Sequence, residues 1–111
     1  MRKAKVFYRT SFAGVLSEED SGYRFEYDDG YLSSPNAHPI SITMPTSQKV
    51  YTSKVLFPFF DGLIPEGWLL DISVKNWKLN PRDRMGLLLA CCRDCIGAVS
   101  IEEIPGKEVQ L

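Results

Sequence analysis

Three cysteines that lie within five positions near the C-terminal end, Cys91, Cys92 and Cys95, are the first candidates for chemistry. Cys92 and Cys95 form a C-x-x-C pair, which can supply two thiolate ligands to zinc. A tetrahedral zinc site needs two further ligands, and the single histidine, His38, lies far away in a stretch that resembles a loop. Because an odd, clustered set of cysteines is not a disulfide framework either, we expect three reduced thiols at a helix end and no metal site.

Two pairs of carboxylates are the next candidates. Asp28 and Asp29 precede Gly30, a composition that is typical of a turn, and calcium requires six or more oxygen ligands, which no nearby acidic residues supply. Asp61 and Glu66 flank a proline-rich corner and could act as paired acids. A turn aspartate and a glutamate in the first turn of a helix explain the second pair without catalysis. We therefore expect both pairs to be structural.

Catalytic signatures are missing from the sequence. His38 has no serine or cysteine motif beside it, and it lies between Ala37 and Pro39. No glycine-rich loop is followed by the lysine and hydroxyl that bind phosphate, and the kinase pattern of an aspartate followed by an asparagine is also missing. The formal net charge is −1 and the basic residues are scattered, which does not favour nucleic-acid binding. We expect a protein without enzymatic activity or a cofactor.

The length of 111 residues predicts one domain with a single core. No apolar run reaches the roughly 20 residues of a membrane span, and the first residues lack the apolar region of a signal peptide. Cytoplasm is therefore the expected compartment. We expect the folded domain to cover residues 1–106 and a fraying tail to cover residues 107–111.

The stretch Phe57–Trp68, with the sequence FPFFDGLIPEGW, is expected to organise the fold. Its two prolines each fix φ, and Pro65 suits the first turn of a helix, which needs no backbone donor there. The pattern predicts a helix from Pro65 to about Lys78. Its apolar arc is about twice the ~100° that a helix on a one-sided surface needs. We therefore expect that this helix is either enclosed by the domain or contacts a partner with one of its sides.

Strands are predicted mainly in the first half of the chain. The extended segments are predicted at Lys5–Arg9, Phe12–Leu16, Tyr23–Tyr27, Ile40–Met44 and Val50–Tyr51. The third of these is the clearest, because its aromatic residues alternate with polar ones and so share the core face. Turns are predicted at Ser17–Gly22 and Asp28–Gly30, and a loop at Tyr31–Pro39.

A second helix and a returning strand are predicted in the last third of the chain. Asn80 is the expected cap, followed by Pro81 at the first helical position and by Asp83 near the positive end of the dipole. The nearly continuous apolar run Met85–Cys92 predicts a helix that is buried on most sides, and Ala98–Ile101 predicts the last strand. The order of elements predicts an α+β fold, in which two main helices pack against a small, mostly antiparallel sheet in a single domain.

Several ordered motifs resemble one known family. The segments are Phe59–Gly67, Pro81–Asp83 and Arg93–Ser100, preceded by Gly14–Leu16, Phe25–Asp28 and Ile40–Pro45. Together they are similar to the N-terminal subdomain of the HipA-type bacterial toxin kinases, and the similarity covers nearly the whole chain. In the full-length family the ATP-binding loop, the catalytic aspartate and the metal ligands lie beyond this subdomain. No catalytic residue can therefore be carried over to this sequence.

A free-standing subdomain of this kind resembles HipS, the small component of three-gene toxin–antitoxin systems. The other components of such HipBST systems are the toxin kinase HipT and HipB, a helix-turn-helix protein that binds DNA. The resemblance implies an antitoxin that binds and inhibits a HipT-type serine/threonine kinase, with HipB as a candidate third member of the complex. The alternative is that the chain is the N-terminal structural lobe of a longer HipA-type kinase.

We expect the partner-binding surface at the proline corner and the turn that follows it. The residues of this surface are Phe59, Phe60, Asp61, Leu63, Ile64, Pro65, Glu66, Gly67 and Trp68. Interface energy concentrates in buried Trp, Tyr and Arg side chains, which makes Trp68 the expected central ring. The alternative is that Trp68 belongs to the core. Its position at the edge of the polar stripe of the predicted helix favours exposure.

Overall fold

The structure, a computed structural model, describes residues 2–35, 37–64, 83–91 and 98–104. Its described elements are β1 (Lys3–Tyr8), β2 (Ser11–Glu19), β3 (Gly22–Tyr27), α1 (Asp29–Leu32), β4 (Val50–Ser53), α2 (Pro58–Asp61), α3 (Arg84–Cys91) and β5 (Val99–Ile104). Predictions that lie outside the described residues include the helix over Pro65–Lys78, the helix start at Asn80–Pro81, the environment of the cysteine thiols and the fraying tail over residues 107–111.

The five described strands form one sheet in the order β4-β3-β2-β1-β5. Each neighbouring pair is antiparallel. β5, the last strand along the chain, returns beside β1 and places Ile101 opposite Val6. The predicted α+β class with an antiparallel sheet is therefore confirmed.

One face of the sheet carries the hydrophobic core. Alternation along the strands turns one set of side chains inward, and these are Ala4, Val6, Leu16, Phe25, Tyr27 and Ile101. Phe60 of α2 and Met85, Leu87 and Leu88 of α3 join the same core. The predictions that Phe25 and Tyr27 share the core face and that the second predicted helix is largely buried are confirmed. We call this side of the sheet the core face.

The turn predicted at Ser17–Gly22 is shorter than expected. β2 continues through Glu19, and Glu18 pairs with Tyr23 of β3. The polar character of this segment does not end the strand, because the Glu18 carboxylate accepts hydrogen bonds from Arg2. Gly22, with φ of +145°, begins β3 directly after the turn, in a region that a side chain rarely tolerates.

The predicted turn at Asp28–Gly30 is the start of the short helix α1. The Asp28 carboxylate accepts a hydrogen bond from the Tyr31 amide at 3.2 Å, which is the geometry of a helix N-cap. Asp28 is therefore structural, as expected, although it caps a helix and does not form a free turn. The Asp28 amide in turn donates to the Ala13 carbonyl and so ties the cap to β2.

Helix α3 begins at Arg84 directly after Asp83, which caps it, and the predicted cap Asn80 lies outside the described residues. The Asp83 carboxylate accepts from the Gly86 amide at 3.1 Å, and the Asp83 carbonyl accepts from the Leu87 amide at 3.0 Å. Arg2 binds the same carboxylate with two hydrogen bonds. Because this charged pairing requires a carboxylate, it favours aspartate over asparagine as the capping residue.

Candidate functional site

The aromatic corner, which we define as Phe57–Ile64, forms one cover over the core face. Phe57 has an extended backbone, and Pro58 then occupies the first turn of α2, where the missing donor is not needed. After α2, the Leu63 amide donates to the Phe60 carbonyl and the Ile64 amide donates to the Asp61 carbonyl. These two bonds continue the tight bend beyond the last residue of α2 and so hold the backbone of the corner up to Ile64.

Two of the predicted partner-binding residues are core residues in this chain. Phe60 is fully buried, and its ring centroid lies 5.7 Å from that of Phe25 and 5.2 Å from that of Phe59. Ile64 is also buried. Phe59 and Leu63 are only half-buried and pack at the margin of the core. Of the described residues in the predicted surface, Phe59, Asp61 and Leu63 therefore remain candidates for direct contact.

Four further residues of the predicted surface lie outside the described residues. These are Pro65, Glu66, Gly67 and Trp68. They follow Ile64 directly in the sequence, so the described corner determines where this segment begins. Their partner-binding role, including that of Trp68 as the central ring, stays a prediction.

An ion pair links the aromatic corner to the start of α3. The Arg84 Nε atom donates to Oδ1 of Asp61 at 2.6 Å, and both side chains are partly exposed. The contact with the Asp61 carboxylate raises the pKa of Arg84. Asp61 is therefore a structural residue, as expected, with a partner that the sequence analysis missed. The pair connects residues on either side of the segment 65–82.

A second and larger ion cluster holds the start of α3 to the sheet. The Arg2 guanidinium donates two hydrogen bonds to the Glu18 carboxylate, both at 2.8 Å, and two to the Asp83 carboxylate at 2.7 and 2.8 Å. These bonds lower the pKa of Glu18 and of Asp83 and raise that of Arg2. A Cβ atom at position Gly86 would lie 2.4 Å from Oδ2 of Asp83, so glycine permits the close approach.

The second cover over the core face is an irregular segment that we call the clamped loop, residues 37–49. The hydroxyl of Tyr27 is buried beneath it, accepts a hydrogen bond from the Ile40 amide at 3.0 Å and donates to the Met44 carbonyl. One tyrosine side chain therefore satisfies backbone groups on both sides of Ile42. The loop needs no strand partner at this point, because the hydroxyl supplies the hydrogen bonds that a neighbouring strand would supply.

Two more tyrosine hydroxyls hold the ends of the clamped loop. Tyr31 donates to the His38 carbonyl, and Tyr51 donates to the Pro45 carbonyl at 2.6 Å. Burial raises the pKa of the Tyr31 phenol, so this group stays protonated and remains a donor at neutral pH. The His38 ring stacks on Tyr8 with a centroid separation of 5.3 Å. His38 is thus a loop residue, as expected, and its ring contact is structural.

The prediction that Ile40–Met44 continues as an alternating extended segment is wrong. A strand would place Ile40, Ile42 and Met44 on one face. Instead Ile40 and Met44 are 4% and 3% exposed, whereas Ile42 is 95% exposed. The Met44 amide donates to the Ser41 carbonyl, and the hydroxyls of Ser41 and Thr43 lie 2.9 Å apart, so the segment turns and points Ile42 outward.

The opposite face of the sheet carries a depression of about 290 Å³, and four of the charged side chains that line it form ion pairs. Arg24 lies 2.7 Å from the Glu26 carboxylate, and Lys49 lies 2.8 Å from Asp29 and 3.4 Å from Glu26. Because these charges neutralise one another, the depression does not favour a particular class of ligand.

Within the described ranges, no group of three or more His, Cys, Asp or Glu residues converges as a metal site would. No helix in those ranges has the length and apolarity to cross a membrane.

Comparisons with known proteins identify relatives of the whole fold. A family model described as the HipA N-terminal domain matches residues 4–102, a region that includes both the aromatic corner and the clamped loop. A solved structure titled N-terminal domain of HipA toxin superposes with a TM-score of 0.74 at 28% identity, over 96% of each chain. The matched unit is the N-terminal domain of that toxin.

Two relatives differ sharply in length. An uncharacterized protein of Haemophilus influenzae is 34% identical over 103 residues, which make up 93% of this chain and 93% of that protein. A putative kinase of Sinorhizobium fredii, Y4mE, is 24% identical over 102 residues. That match covers 91% of this chain and only 24% of the kinase. The same domain therefore occurs as a small protein and as about a quarter of a longer putative kinase.

Proposed function

Because this chain belongs to the HipA N-terminal domain family, we propose that it is the antitoxin of a HipBST-type toxin–antitoxin system. In this role it binds a HipT-type serine/threonine kinase as a separate chain and inhibits it. The observation that carries the proposal is the pair of relatives: one is a small protein of the same extent, and the other joins the domain to a putative kinase. A surface that can pack on a kinase within one chain is suited to dock on a kinase supplied by another.

The aromatic corner is the proposed docking surface. Phe59 and Leu63 are half-buried and pack against the core, which holds the backbone of the corner beneath them. The Asp61–Arg84 ion pair fixes the corner relative to α3. A surface that is rigid before binding loses less conformational entropy in the complex. Trp68, four positions after Ile64, is the proposed central ring that blocks the ATP or substrate site of the kinase.

In this proposal the chain contributes no catalytic residue, and its compartment is the cytoplasm. A HipB-type DNA-binding protein is the proposed third component.

A second candidate function is favoured by the match to the putative kinase Y4mE, of which this domain spans only 24%. The chain would then be the N-terminal structural lobe of a longer kinase and would contact the catalytic domain within one polypeptide.

Association with the kinase tests the proposal. The chain is co-expressed with a HipT-type kinase, and one component carries an affinity tag. We expect the two chains to co-purify as a stable complex that survives gel filtration. Separate elution of two folded proteins would contradict the antitoxin function. A reading frame that continues from this chain into a glycine-rich loop and a catalytic aspartate would instead support the structural lobe.

A further inference from the structure

We propose that the tip of the clamped loop, Ser41–Thr43, is a second contact with the kinase, in which Ile42 fills an apolar pocket of that protein. The inference rests on the proposed function and adds a surface that lies apart from the aromatic corner in the sequence. The tip offers the branched aliphatic side chain of Ile42 and, on either side of it, the hydroxyl groups of Ser41 and Thr43. These hydroxyl groups can form hydrogen bonds with the rim of the pocket.

The conformation of the tip is fixed before any partner arrives. A single exposed apolar residue is common on protein surfaces and indicates little by itself. Here the residues two positions before and after Ile42 are buried, and the Tyr27 hydroxyl binds the backbone at both of these positions. Ile42 is nevertheless 95% exposed. The fold therefore holds the backbone of this side chain in place while keeping the side chain in solvent, and this lowers the entropic cost of binding.

The tip and the aromatic corner lie over the same face of the sheet. A continuous set of rings connects them, because the centroid of Phe59 lies 5.2 Å from Phe60, Phe60 lies 5.7 Å from Phe25, and Phe25 lies 4.9 Å from Tyr27. The clamped loop rests on the hydroxyl of Tyr27 at the end of this set. In this proposal one kinase covers both the half-buried Phe59 and Ile42.

The charge pattern favours a protein pocket as the occupant. The segment Ile40–Met44 contains no charged residue, so its tip offers nothing to the phosphates of a nucleic acid or an anionic membrane. Val55, the other large apolar residue with high exposure in the described part of the chain, is 67% exposed and follows Lys54 directly. It is not flanked by the tyrosine clamp, which makes it a matched control.

Binding of variants to the purified HipT-type kinase, measured by isothermal titration calorimetry, tests the inference. Ile42→Asp is expected to weaken the affinity about tenfold or more, because it places a charge in an apolar pocket, and Ile42→Ala is expected to weaken it less. Val55→Asp is expected to change the affinity by less than about twofold. All three variants should unfold at the wild-type temperature, since both side chains are exposed.

A separate variant tests the clamp without changing the tip. Tyr27→Phe removes the hydroxyl that binds the Ile40 amide and the Met44 carbonyl and leaves Ser41, Ile42 and Thr43 in place. We expect a few-fold loss of affinity, because the loop must then be ordered on binding. Wild-type affinity in this variant would contradict the role of preorganisation.

The outcomes separate the two proposals. If the wild-type chain binds the kinase and both Ile42 variants bind equally well, the second contact is wrong while the proposed function stands. If the wild-type chain does not bind the kinase at all, the proposed function fails, and the inference that rests on it fails as well.

Discussion

The aromatic corner and the clamped loop cover the same face of one sheet by different physical means. The corner inserts Phe60 into the core among other rings, whereas the clamped loop rests on tyrosine hydroxyls that bind its backbone. In the aromatic corner, the anchoring side chain is itself buried in the core. The clamped loop has a fixed backbone path and leaves the side chain of Ile42 outside. The comparison indicates that a loop without regular structure can be held in place and still present an exposed apolar residue.

The largest expected effect comes from the corner. Phe60→Ala removes a fully buried ring that contacts Phe25, Phe57 and Phe59, and we expect it to lower the free energy of unfolding by about 3–5 kcal/mol. Urea denaturation followed by fluorescence measures this change. Phe59→Ala is the control, because its half-buried ring should lose less than half as much. Equal losses at the two positions would contradict the assignment of Phe60 to the core and Phe59 to the surface.

A smaller effect is expected from the clamp. Tyr27→Phe keeps the ring in the core but removes the hydroxyl that binds the Ile40 amide and the Met44 carbonyl. We expect a loss of about 2 kcal/mol, since two buried backbone groups lose their partner. Hydrogen exchange of the Ile40 amide should accelerate more than exchange in β1 or β2. If exchange accelerated evenly across the sheet, the hydroxyl would be stabilising the whole domain and not the loop.

An effect no larger than that of the clamp is expected at the tie between α3 and the sheet. Asp83→Ala removes both the helix cap and the ion pair with Arg2, and we expect it to cost about 2 kcal/mol. Asp83→Ser keeps a capping oxygen without the charge, so about 1 kcal/mol is expected. Thermal unfolding at neutral pH measures both values. No loss in Asp83→Ser would show that the ion pair with Arg2 contributes nothing, and identical losses in the two variants would show that the cap contributes nothing.

The pH dependence of the same variants sharpens this test. Arg2 lowers the pKa of Asp83 and Glu18, so both carboxylates bind protons more weakly in the folded state than in the unfolded state. Their contribution is present above the ordinary carboxyl range and is lost as the pH falls from about 4 through the lowered values. The stability difference between wild type and Asp83→Ser should therefore narrow below about pH 4. A difference that stays constant would contradict the lowered pKa of Asp83.

The parts of the fold that were predicted correctly depend on local signals. Alternation over Tyr23–Tyr27 indicated β3 and its core face, and the apolar run from Met85 indicated the buried helix α3. Alternation failed at Ile40–Met44, because the groups that bind this backbone belong to Tyr27, which lies 13 residues before Ile40. Alternation of apolar and polar residues indicates which residues share a face only when the segment is an extended strand. It does not reveal that a side-chain hydroxyl replaces the neighbouring strand.

The structural roles of the charged residues were less accessible from the sequence. Asp61 and Arg84 are 23 positions apart, and Arg2 and Asp83 are 81 positions apart, so neither pair leaves a local spacing signal. The composition of the aromatic corner required that large rings be buried, but it did not distinguish Phe60 from Phe59. That distinction depends on the direction in which the single turn of α2 faces the sheet. The candidate surface therefore stays a prediction from the sequence, while the structure was required to show which of its described residues are buried.

Inhibition of the kinase by this chain tests the central claim most directly. Increasing amounts of wild-type protein and of Trp68→Ala are titrated into a HipT-type kinase, and phosphoryl transfer to its substrate is followed. The account predicts that wild type suppresses the activity, and that Trp68→Ala, with unchanged unfolding, loses about 2 kcal/mol and requires roughly 30-fold more protein. Full kinase activity at saturating wild-type protein, or undiminished inhibition by a folded Trp68→Ala variant, would contradict it.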